Sequence, residues 1–203
     1  MNKVQYRPPL RNYHLLLGQI GKPSERRASL AMLLELSDLS EDGWTVRSQR
    51  AMRMGMFGYK TEADRRARRA GYFSANRGFK WGQGERRSFV VSVRPYTSVE
   101  DAESGAADFR SRIYQNPISE VETTGERMVE GYEVGGATDP WFYEVSTIGI
   151  DGRGPGANRF ISTNVDRVTF YFGCAAYDSA WPWSDAIAMA ELQVAKIRRA
   201  LNL

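Results

Sequence analysis

The chain holds a single cysteine, Cys174, and a single histidine, His14. One thiol excludes an internal disulfide. One Cys and one His cannot supply the clustered ligands that a zinc site needs. A thiol nucleophile would need a base, and His14 lies far off in sequence, so Cys174, two residues after Phe172, reads as a small buried hydrophobe. No stretch reaches 18 consecutive apolar residues, so no transmembrane segment is expected. The N-terminus carries Lys3, Arg7, Arg11 and a short apolar run, without an h-region leading to a small-residue cleavage site. The expectation is a cytoplasmic chain, unless a leader has been removed. No Gly-Lys-Ser/Thr phosphate loop is present. "DGRGPGANR" offers one acid, Asp151, and reads as a Gly/Pro turn, not a calcium loop. Neither metal nor cofactor is expected.

What remains is ordinary globular material. At 203 residues, 42% hydrophobic and 26% charged, the chain can bury a core without a covalent staple. The expected division is an N-terminal arm over residues 1–23 and one α+β domain over residues 24–203. The arm carries Pro8-Pro9 and an apolar patch of Leu10, Tyr13, Leu16, Leu17 and Ile20. That patch is too short to fold alone, so it is expected to dock on the main domain or on a second copy in a homodimer.

The hydrophobic period alternates between helix and strand. "GKPSERRASLAMLLELSD" reads as a helix with Ser24 as N-cap. "DGWTVRSQRAMRMG", "RAGYFSANRGFKW" and "RRSFVVSVRPY" read as strands, the last with Phe89, Val91 and Val93 on one face. Ser98 and Asp101 resemble a capping box ahead of Val99, Ala102, Ala106, Phe109 and Ile113 at helical spacing. "ERMVEGYEVGG", "PWFYEVSTIGI" and "RVTFYFGCAAY" read as three more strands. A final helix is expected to be capped by Ser184, with Ile187, Ala190, Val194, Ile197 and Leu201 as its core stripe. Short connections imply antiparallel pairing. The fold class is therefore α+β, a single twisted antiparallel sheet of about six strands covered by helices.

Charge is unevenly spread. Residues 47–94 carry a net +10 and the remainder a net −6. Within this block, residues 65–87 place seven arginines and a lysine around Tyr72, Phe73, Phe79 and Trp81. Phosphate binding needs only surface cations, and single strands add aromatic stacking. No recognition-helix, RNP or finger motif accompanies the arginines. Arg65, Arg66, Arg68, Arg69, Arg86, Arg87 and Trp81 are the candidate partner-binding residues. Strand alternation is expected to split Arg68 from Arg69 and Arg86 from Arg87, and intramolecular acids to neutralise part of the block. Arg77 is expected to share the core face with Phe73 and Phe79 and to need an internal partner.

Acid–base chemistry requires a positioned pair. Glu130, Glu133 and Glu144 fall on neighbouring expected strands and read as solvated sheet-face charges paired with arginines. No catalytic residue is assigned. Trp44, Trp81, Trp141, Trp181 and Trp183 read mainly as packing residues, with Trp181-Pro182-Trp183 fixing the entry of the last helix.

The order β-β-β-α-β-β-β-α, with "DGWTV", the "VRPYTSVEDA" strand-to-helix join and the closing "WPWSDAIAMAELQVAKI" helix, resembles the PsbP-like α/β/α sandwich over about residues 40–201. Many actinobacterial proteins of that shape are small lipoproteins or kinase sensor domains. The resemblance implies a binding or interaction module and transfers no catalytic residue. The chain departs from the sensor domains in lacking their paired cysteines. The functional expectation is a non-enzymatic module for an acidic protein or a small-molecule ligand, with nucleic-acid binding through residues 47–94 as the alternative.

Overall fold

The computed structural model describes residues 22–55, 61–82, 87–115, 123–147, 156–177 and 181–203. The arm with His14 lies outside them, as do Arg86 and residues 151–155 of the expected turn, whose last four residues, 156–159, are strand.

Among the described residues, four α-helices and seven strands follow in the order α1 (Pro23–Ala31), β1 (Trp44–Arg53), α2 (Glu62–Ala70), β2 (Phe73–Trp81), β3 (Arg87–Pro95), α3 (Val99–Gln115), β4 (Thr123–Val129), β5 (Thr138–Thr147), β6 (Gly156–Val165), β7 (Val168–Tyr177) and α4 (Trp183–Leu201). The strands form one sheet in the order β1-β2-β3-β7-β6-β5-β4. Every neighbouring pair is antiparallel. After α3 the chain crosses to the far edge and returns strand by strand to the centre, where β7 pairs with β3.

Helices cover both faces, which makes three layers. Below the sheet, α1 and α4 enclose Phe79, Phe89, Val91, Val93, Phe170 and Phe172. Phe79 stacks on Phe89 at 4.5 Å, and Phe89 on Phe172 at 5.6 Å. Ile197 in α4 is completely buried, as its place in the stripe predicts. Above the sheet, α2 and α3 enclose a smaller cluster of Met54, Ala63, Ala67, Tyr96 and Ala102.

Three sequence expectations need correction. The sheet has a seventh strand, β6. Its Ser162, Thr163 and Asn164 are fully buried, so a central strand here lacks the apolar signature that strand reading depends on. The strand expected over residues 126–136 ends at Val129, and Glu130 and Glu133 stand exposed in the loop beyond it. The helix caps also differ. Lys22 precedes α1, with Pro23 at its first position, where the missing N–H costs nothing. Pro182 precedes α4, and the Ser184 hydroxyl, already inside the helix, donates to Asp185 at 3.1 Å.

Ser98 does accept from the Asp101 backbone N–H at 3.2 Å, but the Asp101 side chain turns away to other partners.

Candidate functional site

The structure divides the candidate residues between the two ends of β2. Arg65, Arg66, Arg68 and Arg69 stand on α2, next to Phe73. Trp81 and Arg87 stand at the other end, paired across β2 and β3. Eight residue steps separate those ends, about 26 Å of strand.

The four N-terminal arginines are helical, so strand alternation does not separate Arg68 from Arg69. Thr61 accepts from the Asp64 N–H at 3.1 Å, Glu62 and Asp64 occupy the first turn, and Gly71 at φ +87° stops the helix in the left-handed region. The cap-to-glycine pattern was legible in "TEADRRARRAG". Arg66 donates twice from Nε to Asp101, at 3.1 and 3.0 Å, and pins α2 to α3. Asp101 also accepts from Thr97. The Arg66 hydrogen bond holds the Asp101 carboxyl below the usual carboxylate range. Asp64 pairs with Arg94 on β3 at 2.7 Å. Arg65 and Arg69 share Glu62, at 2.8 and 3.3 Å. Part of the block is thus consumed internally, as charge balance predicts.

Arg77 is buried, as expected. It donates from Nε to Gln49 at 2.9 Å and from its terminal nitrogen to the Leu34 carbonyl. Its face is shared with Phe79 because a bulge lies in β1, at the register shift between Val46 and Ser48, and not at Gly78.

At the other end lies a cleft of about 220 Å³ between α4 and the start of the sheet. Trp44 and Trp181 form its inner wall, 5.8 Å apart and edge to face. Met189 and Leu192 of α4 supply an apolar side, and Leu192 is exposed. Arg87 supplies the cation. Its guanidinium lies 4.2 Å over the Trp81 ring and 5.6 Å from the Trp44 ring, and pairs with Glu41 at 2.6 Å. Trp81 is itself fixed by an N–H bond to the Asp42 carbonyl at 2.9 Å. The indole N–H groups of Trp44 and Trp181 are buried and find no partner among the described residues. Buried donors are ordinarily satisfied, so these two indoles are a feature of the wall that the fold alone does not explain.

A second, shallower hollow of about 310 Å³ crosses the upper face. Its floor is low because Gly78 and Gly173 carry no side chain. A Cβ on Gly78 would stand 2.8 Å from the Ser48 hydroxyl, and one on Gly173 would stand 3.2 Å from Phe160.

The acid–base candidates do not converge. Glu144 is buried, not solvated. Burial raises its pKa, but hydrogen bonds from Arg159 at 2.7 Å and Arg127 at 2.8 Å outweigh that and hold it below the usual range. Cys174 is buried too, and burial pushes its thiol up to about 12. Among the described residues, no group of three His, Cys, Asp or Glu side chains gathers in one place. Nor is any described helix long and apolar enough to cross a membrane.

No family model matches the chain, and no curated protein matches it. Among solved structures, the extracellular domain of PknH from Mycobacterium tuberculosis superimposes with a TM-score of 0.54 at 8% identity, covering 90% of this chain and 100% of that one. An uncharacterized protein from Mycobacterium smegmatis gives 0.42 at 12% identity, covering 86% and 98%. The likeness to the PknH domain is one of fold.

Proposed function

We propose that the chain is a non-enzymatic binding module of the PsbP-like sandwich type, and that its ligand enters the cleft between α4 and the Trp44/Trp181 wall. The observation that carries this reading is the pair of unpartnered indole N–H groups beside a guanidinium held against two aromatic rings. Apolar residues on one side and Arg87 on the other suit a small amphipathic molecule with a hydrogen-bond acceptor. The likeness of fold to an extracellular domain supports the sandwich architecture on which this reading builds. The reading holds in either redox compartment, because the one cysteine is buried and has no second cysteine in the chain to pair with. Paired Glu144 and a protonated Cys174 support a role without catalysis. The nucleic-acid alternative finds no continuous surface among the described residues, since its arginines stand at two ends of a strand.

The test is a fragment screen read by indole N–H resonances of the full chain. Ligands should shift the Trp44 and Trp181 signals, and Leu192→Arg, which fills the mouth from an exposed position, should abolish the shifts. Binding that survives unchanged in Leu192→Arg would remove this cleft from consideration.

A further inference from the structure

A third cavity, of about 320 Å³, lies at the opposite end of β2 from the tryptophan cleft and is lined by Arg53, Arg65, Arg68 and Arg69. Two elements build it. Arg53 is the last residue of β1, and the other three project from α2. Arg53 is held in place by a bond from its terminal nitrogen to the Arg68 carbonyl at 3.2 Å, and Arg68 in turn donates to the Gly55 carbonyl at 3.3 Å. Carbonyls at a helix C-terminus carry the negative end of the helix dipole, which accounts for Arg68 and Arg69 in the last turn. It also accounts for Arg53, bound to the Arg68 carbonyl, but not for Arg65, one turn earlier, which adds a further cation to the same gap.

The charge around this cavity is not balanced. Glu62 is the acid shared by Arg65 and Arg69. The other two acids nearby in sequence and space are already committed, Asp64 to Arg94 and Asp101 to Arg66. Among the described residues, the guanidiniums of Arg53, Arg65 and Arg69 have one carboxylate between them, a local excess of about +2. The Arg53 Nε–H is buried and has no partner among the described residues. A buried charged donor without an acceptor is costly, and the cost is recovered when an anion supplies one.

From this convergence we infer a binding site for a multiply charged oxyanion, a phosphate-type group, at Arg53, Arg65, Arg68 and Arg69. The guanidinium fork matches such oxygens two at a time, and an oxyanion also displaces Glu62 from its shared pairs without leaving a charge buried, because Glu62 is half exposed. The site is independent of the tryptophan cleft.

The test uses the full chain and inorganic tripolyphosphate, with chloride added to match ionic strength. Saturable binding by calorimetry is expected, weakened about tenfold by Arg69→Gln, whose side chain is 72% exposed and not needed for folding. Arg53→Gln should weaken it at least as much. Arg26→Gln, an exposed change on α1, controls for net charge and should leave binding intact. Vesicles of phosphatidylcholine with and without phosphatidylglycerol, run beside the soluble anion, distinguish a headgroup from a free phosphate as the source. Retention by the anionic vesicles that is lost in Arg69→Gln would also support the site. No saturable binding to either probe, or equal weakening by Arg26→Gln and Arg69→Gln, would overturn it.

Discussion

The side-chain amide of Gln193, completely buried in α4, accepts from the Leu34 backbone N–H at 3.1 Å. Its own Nε2–H donates to the Met32 carbonyl at 2.5 Å. One amide thus treats the segment after α1 as a neighbouring strand would, satisfying a donor and an acceptor that no strand reaches. Gln193→Leu keeps the size and orphans both groups. It should cost about 2–6 kcal/mol, since each of the two buried unsatisfied groups costs about 1–3. Chemical denaturation measures it, and a loss within experimental error of zero would show that water replaces the amide.

Gly105 makes room for Tyr96. A Cβ there would stand 2.2 Å from the Tyr96 hydroxyl and 2.3 Å from the ring carbon that bears it. Tyr96 is fully buried between α2, α3 and the sheet, so it cannot step aside. Gly105→Ala should raise helix propensity and still destabilise, by about 1–3 kcal/mol, because overpacking outweighs the propensity gain. A higher melting temperature in Gly105→Ala would show that α3 sits further from the sheet.

The tie between Arg66 and Asp101 makes stability fall in acid. Asp101 has a lowered folded pKa, with the Arg66 hydrogen bond as the main cause. A lowered carboxyl contributes stability above its unfolded pKa and loses it as pH falls through the folded value. The loss should therefore begin near pH 4 and continue below it. Asp38 and Glu144 are shifted the same way and act in the same window. In melting curves taken across that range, Asp101→Asn should flatten part of the decline. An unchanged acid profile in the variant would show that Asp101 does not carry this term.

Cys174 should resist alkylation. Its thiol is buried and shifted to about 12, so little thiolate exists at neutral pH in the folded chain. The unfolded thiol ionises from about pH 8.5, so this group lowers stability as pH rises above that point. Iodoacetamide should label the native chain far more slowly than the unfolded one. Equal rates would place Cys174 at the surface.

The sequence by itself determined the class of fold and much of its inner face. The alternation of Phe89, Val91 and Val93 marked β3 because a strand with one face on a core must bury every second side chain. The stripe through Ala190, Val194 and Ile197 marked α4 for the same reason at helical period. Charge balance indicated that many arginines would be paired, and the parity of Arg77 with Phe79 indicated that it would be buried. Other features had no local signal. β6 hides its Ser162, Thr163 and Asn164 among neighbours on both sides, and polarity in a sequence says nothing of who will stand opposite. The partner of Arg66 lies 35 residues away on another helix. The cavity of Arg53 with Arg65, Arg68 and Arg69, and the cleft of Trp44 with Trp181, exist only because antiparallel pairing brings the ends of distant segments together. Periodicity is imposed by the backbone and repeats within a few residues, so it can be read along the chain. Convergence of side chains from separate elements depends on register and layer packing, and only the folded chain decides it.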